Sequence, residues 1–157
     1  MSVLFPFHLA FALTDIEAKR AFYVEKLGCK VRRSAKRWID FDFFGQQVSA
    51  HLVDGALSLT ETNSVNGEKL PSRHFGAILD WDDWHAMKGR LEADSTDFII
   101  SPTTRFAGEA GEQTTMFFRD PSENALEFTA FWDKPMISCI KSCQESLSKI
   151  SSVMGAC

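Results

Sequence analysis

Hydrophobic and polar positions alternate in pairs at the start of the chain. In Phe7 to Leu13, Phe7, Leu9, Phe11 and Leu13 fall on one face of a predicted strand, and His8, Ala10 and Ala12 fall on the other. The large residues are expected to meet a helix, while the small ones, with His8, line something hollow. Thr14-Asp15-Ile16-Glu17 reads as a capping box with Thr14 as N-cap, and Gly28 supplies a stop, which predicts a helix from Asp15 to Leu27. Strands follow at Cys29 to Ser34, Trp38 to Phe44 and Gln47 to Val53, with a turn at Gly45-Gln46. In the second of these Ile39, Phe41 and Phe43 alternate with Asp40 and Asp42. In the third Val48, Ala50 and Leu52 oppose Gln47, Ser49 and His51.

After a polar connection the same order returns. Arg73 to Leu79 is a predicted strand, Asp80-Trp81-Asp82-Asp83 opens a helix running to Ala93, and strands at Phe98 to Arg105 and Gln113 to Arg119 flank the loop Phe106 to Gly111. Asp120-Pro121-Ser122-Glu123-Asn124 has the composition of a tight turn, in which Asn124 is expected to take the left-handed backbone, and a strand from Ala125 to Trp132 closes the set. The predicted fold class is α+β: two tandem βαβββ modules forming a curved, mostly antiparallel sheet cleft. The domain is expected over 1–133, with module one at 5–53, a linker at 54–72 and module two at 73–132. Met136, Ile140, Cys143, Leu147, Ile150 and Met154 recur at helical spacing and predict a helical tail over 134–157.

Composition narrows the class. The 157 residues are 45% hydrophobic and include 14 Phe, enough for a core of rings between helices and sheets. A net charge of −4 argues against nucleic acid as a partner. No apolar run approaches the roughly 20 residues that span a bilayer, and Met1 to Leu13 has no signal-peptide pattern, so the expected compartment is the cytoplasm, without membrane contact. Cys29, Cys139, Cys143 and Cys157 lack paired spacing and read as free thiols.

The chemistry lies in four side chains. Glu127 is a carboxylate in the middle of an apolar strand, which costs several kcal/mol unless compensated. His8 and His74 both begin the first strand of a module, and the steps from Phe44 to His51 and from Asp120 to Glu127 are both seven residues, which pairs His51 with Glu127. Three imidazoles and one carboxylate at repeat-related positions suit a borderline or hard divalent cation. His8, His74 and Glu127 would form a two-His, one-carboxylate face, with His51 as a fourth ligand or as a base beside an open position. Arg105 is a candidate for holding a substrate carboxylate, and Trp38, Phe44 and Phe117 are candidate apolar walls. His85 reads as a packed helix residue.

From Phe7 to Trp132 the sequence resembles the vicinal oxygen chelate superfamily, which includes glyoxalase I, extradiol dioxygenases and the fosfomycin and bleomycin resistance proteins. The most specific likeness is the run from Phe118 to Phe128, which is similar to the family's closing motif of Asp-Pro, a Gly-Asn turn and a metal-binding Glu; Glu123 stands where that motif has Gly. The resemblance implies His8, His74 and Glu127 as metal ligands and His51 in the place of the fourth ligand. It further implies one divalent metal ion (Fe, Zn, Ni or Mn), a small-molecule substrate bound through neighbouring oxygens, and a homodimer. Lyase, isomerase and dioxygenase chemistry all stay open. The basic cluster with which fosfomycin resistance enzymes hold a phosphonate is not evident near the four positions. The alternative is a metal-free protein that sequesters a small molecule, as bleomycin-binding relatives do.

Overall fold

Strand β1 (His8–Leu13) hydrogen-bonds in parallel to β4 (Gln46–Leu52), which pairs antiparallel with β3 (Trp38–Phe43), and β3 with β2 (Lys30–Ala35). The same arrangement recurs as β7 (His74–Leu79), β10 (Ala125–Phe131), β9 (Gln113–Arg119) and β8 (Phe98–Arg105). These tandem βαβββ units make the chain α+β, as the repeat predicted. The computed structural model describes residues 5–55, 62–65 and 68–132; the helix expected over 134–157, with three of the four cysteines, lies outside them. The connection between the units carries a two-stranded hairpin of β5 (Thr62–Val65) and β6 (Glu68–Pro71). Among the described residues no helix is long and apolar enough to cross a membrane.

The first helix departs from its expected start. Asp15, not Thr14, is the N-cap of α1 (Ile16–Ala21), its Oδ1 accepting from the Ala18 amide at 3.0 Å. Thr14 is spent elsewhere: its amide and hydroxyl lie 3.1 and 3.2 Å from Ser122 Oγ, on the closing turn of the second module. A π-helical turn, Phe22–Lys26, continues α1, and Gly28 ends it at φ 76, which lets Cys29 N donate to the Tyr23 carbonyl at 2.9 Å. Helix α2 (Trp81–Ala93) buries Trp84, Met87 and Leu91, and Trp84 Nε1 donates to the Phe128 carbonyl at 2.8 Å.

One core serves both modules. The apolar faces of β3 and β4 (Ile39, Phe41, Val48, Ala50) and of β9 and β10 (Met116, Phe118, Leu126, Phe128) belong to one cluster with both helices. Each sheet therefore turns its other, polar face away from that core. Phe44, expected as a wall of the cleft, is instead 41% exposed in the turn after β3 and does not line the cleft of His74 and Glu127; its ring lies 5.0 Å from Phe43 and 5.5 Å from Phe128.

At the seam between modules sits a buried ion pair, Lys19 with Asp120, both side chains fully inaccessible. Asp120 also accepts from Tyr23 Oη at 3.2 Å and from the amides of Ser122 and Asn124 at 2.8 and 3.0 Å. Burial pulls the Lys19 ammonium below the usual lysine range, partly opposed by the charge and hydrogen bond of Asp120. Burial, reinforced by the Asp120 charge, pushes the Tyr23 phenol well above its ordinary value. Tyr23 is thus a structural residue, fully buried in the shared core against Phe41.

Candidate functional site

His74 and Glu127 come together because β7 and β10 are parallel neighbours. Ala125 is in register with His74 and Glu127 with Gly76, so both side chains rise from the polar face of the second sheet. His74 Nε2 lies 3.3 Å from Glu127 Oε2, each side chain about a third exposed (33% and 32%). His74 Nδ1 lies 2.9 Å from the Pro71 carbonyl oxygen, which can only accept, so Nδ1 donates to it and Nε2 faces the carboxylate. The other Glu127 oxygen accepts from Thr115 Oγ1 at 3.0 Å and Thr129 Oγ1 at 3.3 Å. These hydroxyls offset part of the cost of placing the carboxylate on that strand. They come from the register, since Thr115 faces Thr129 across β9 and β10, and only the alternation of those strands signals them in the sequence.

Arg105 lines the same cleft, of about 380 Å³, together with Gln113, Thr115, Phe117, Ile78 and Phe131. Phe117 forms its wall, with its ring 5.2 Å from that of His74. The first sheet holds the remaining candidates. His8 is exposed at the start of β1, in register with Gln47, and His51 is exposed near the end of β4, in register with Ala12 and Trp38. His51 thus stands four residues along the ladder from the partner of His8, about 13 Å at ~3.3 Å per residue, and the two rings cannot share one ion in this sheet.

The register also corrects the pairing of His51 with Glu127. Placing His8 on His74 places Gln47 on Ala125, Ser49 on Glu127 and His51 on Thr129. The hairpin turn explains the miscount. Phe44 and Gly45, at φ 52 and 84, make a two-residue turn, whereas Asp120 to Asn124 is a longer loop. Equal sequence steps from the two turns therefore reach different rungs. Among the described residues, no three His, Cys, Asp or Glu side chains are gathered closely enough to hold a metal ion. Within one chain the described residues bring His74 and Glu127 together, while His8 and His51 stand on the first sheet. His85 is held between rings, 5.0 Å from both Trp81 and Trp84. Cys29 is a buried free thiol, pushed up to about 12 by burial and the nearby Asp42 charge, which makes it inert as a nucleophile.

The fold has counterparts in known proteins. The family model described as the Glyoxalase/Bleomycin resistance protein/Dioxygenase superfamily matches residues 6–128. The chain belongs to this superfamily. A glyoxalase/bleomycin resistance protein/dioxygenase from Alicyclobacillus acidocaldarius is 32% identical, with a TM-score of 0.65 over 83% of this chain and 94% of that one. A genomically encoded fosfomycin resistance protein, FosX, from Listeria monocytogenes shares the fold at 16% identity, TM-score 0.61, over 82% and 94% of the two chains. A lactoylglutathione lyase from Agrobacterium tumefaciens does so at 16% identity, TM-score 0.54, over 78% and 90%. No curated protein matches the chain. Glu123 takes the left-handed backbone, φ 63, and Asn124, expected to take it, does not. Asn124 instead donates through Nδ2 to the Ala12 carbonyl at 3.0 Å and to Asp120.

Proposed function

We propose that this protein is a divalent-metal-dependent enzyme of the glyoxalase/dioxygenase superfamily, acting on a small substrate that chelates the metal through neighbouring oxygens. The observation that carries this reading is the His74–Glu127 pair. An imidazole nitrogen and a carboxylate oxygen 3.3 Å apart are held together by a cation between them, a proton on Nε2 or a divalent metal ion, and membership of the superfamily supports the metal ion. The pair offers one imidazole and one carboxylate, the donor types that Fe, Zn, Ni and Mn accept, with the ring already oriented by the Pro71 carbonyl and the carboxylate by Thr115. His8 would be the third ligand and would come from a second copy of the chain, whose first-sheet polar face closes over the second-sheet polar face. Such a homodimer places Ser49 at the fourth corner, and His51 one inward-facing step beyond it.

Bound there, a divalent ion would supply Lewis-acid stabilisation of the negative charge that develops on a chelating substrate. The chain's own residues would do the rest. Arg105 would hold the carboxylate end of the substrate, Phe117 would exclude water beside His74, and Thr115 and Thr129 would fix the Glu127 oxygen that does not face His74. His51 is available to exchange a proton with substrate at the cleft's edge. Lyase, isomerase and dioxygenase reactions all use these parts.

Metal analysis of protein purified without a polyhistidine tag tests the reading. Iron would assign oxygen chemistry; zinc, nickel or manganese would assign isomerisation or addition; no metal in any preparation would contradict the proposal in favour of metal-free small-molecule binding. Glu127→Gln should lower metal affinity by at least roughly a hundredfold, the upper end of what losing even an outer-shell partner costs, with an unchanged circular dichroism spectrum. Unchanged affinity would refute Glu127 as a ligand.

A further inference from the structure

Successive side chains on a regular strand point to opposite faces, so Arg32 and Arg33 would ordinarily be divided between the two sides of β2. They are not, because the register of β2 against β3 slips between Val31 and Arg33. The bulge brings both guanidinium groups to the polar face of the first sheet, where Arg32 Nη2 donates to Asp42, and Arg33 donates to Asp40 through Nε at 3.0 Å and Nη2 at 2.8 Å. The two carboxylates lie two residues apart on β3 and share that face. A bulge that re-aims a side chain beside a cleft is a built feature of a sheet.

The support behind Arg33 is itself buried. The Asp40 side chain is 3% exposed and also accepts from Ser49 Oγ at 2.6 Å and Gln47 Nε2 at 3.4 Å. Burial raises its carboxyl, but the hydrogen bonds from Ser49, Arg33 and Gln47 and the Arg33 charge outweigh burial and hold it below the usual carboxylate range. The Arg33 guanidinium carbon lies 5.6 Å from the centre of the Trp38 ring, which fixes it from a second side. Arg32 and Arg33 are otherwise 61% and 69% exposed. With Asp40, Gly45, Gln46, Gln47 and Pro6 they line a cleft of about 380 Å³, in which the Asp40 carboxylate is turned to Arg33 and Ser49. Gln47 is the register partner of His8, so this cleft adjoins the proposed third ligand. The eight residues from Lys30 to Arg37 include five cations and no acid, in a chain of net charge −4.

We propose that Arg32 and Arg33, backed by Asp42 and Asp40, form an anion-binding subsite that takes the carboxylate or phosphoryl end of a small substrate. Its place in a reaction rests on the reading above, since the first-sheet polar face meets His74 and Glu127 only when a second copy supplies it. Anion binding by the pair does not depend on that reading. Both arginines present donors in fixed orientation, and planar forks recognise oxyanions in two-point fashion.

The test is titration of the full chain, in chelator-treated buffer at constant ionic strength, with inorganic phosphate and separately with malonate, followed through the arginine Nε resonances. Saturable shifts at Arg32 and Arg33 are expected, and tighter phosphate or tighter malonate tells which class of anion the subsite prefers. Arg32→Ala and Arg33→Lys should each weaken binding by about fivefold, as loss of a largely exposed charge-assisted contact implies. Arg33→Lys keeps a cation against the buried Asp40 and so preserves the fold. Arg37→Ala removes the same charge from the same basic run but lies outside the cleft, and should change affinity by less than about twofold. Shifts that never saturate with either anion, or an equal loss in Arg37→Ala, would overturn the subsite. Because no metal is present in the titration, failure of the metal centre would leave this result standing.

Discussion

Glu123 holds a backbone conformation that L-residues avoid, φ 63, in the turn that aims β10. The left-handed region costs roughly 1–2 kcal/mol for a residue with a Cβ, and the Arg119–Glu123 ion pair at 3.4 Å on the surface returns little of it. Glu123→Gly should therefore stabilise the protein by about 0.5–1 kcal/mol, after the extra chain entropy of glycine is subtracted. Denaturant melts measure this, and a loss of stability would contradict it. Residue chemistry was legible at Asp120 and Glu127, where a turn and a lone strand carboxylate stand out in the sequence. It was not legible at Asn124, whose amide is used to tie the turn to Ala12, 112 positions earlier. Nor was it at Thr14, where a local capping pattern competes with a distant hydroxyl and Asp15 is an equally good cap.

Strands β1 and β7 follow from alternation, since each face keeps its character over six residues and a slip would bury the wrong set. Registers between strands are a different matter. They depend on turn length and bulges, and that is why His51 was matched to Glu127 although Ser49 occupies the equivalent rung. The bulge that unites Arg32 with Arg33 is silent in the sequence for the same reason. One glycine does report on pairing. A Cβ built on Gly76 would sit 1.5 Å from the Glu127 carbonyl oxygen, so β7 and β10 approach closely only because that position has no side chain. Gly76→Ala should cost about 2–3 kcal/mol, in the range of overpacking, and should separate His74 from Glu127. Equilibrium unfolding and the imidazole resonances of His74 read both effects, and a variant as stable as the parent would contradict the close approach.

At the scale of the whole molecule, the seam is held by polar groups as well as rings. Lys19 and Asp120 come from different modules and are buried together, with Tyr23 and Asn124 completing the shell of the carboxylate. Removing one member leaves a buried charge without its counterion, so Lys19→Met should destabilise by about 3 kcal/mol. Lys19→Met paired with Asp120→Asn should recover part of that loss, and the double variant tests whether the cost belongs to the unpaired charge. The tandem modules were readable because the order of elements repeats. How the modules meet was not, because alternation says which face is apolar but not what covers it. Here both apolar faces share one core, and the two polar faces turn away from it.

That geometry leaves His8 apart from His74 and Glu127 in a single chain, and in the proposed centre a second copy would bring it in. Mixing His8→Ala with Glu127→Gln protein decides this directly. Each variant alone lacks one ligand at every site, but a mixed dimer has one intact site, formed by His8 of one copy with His74 and Glu127 of the other. After refolding together at equal amounts, tight metal binding should return to about a quarter of the parent's site number, as random pairing of two copies implies. No recovery of metal binding in the mixture would contradict a centre built across two chains.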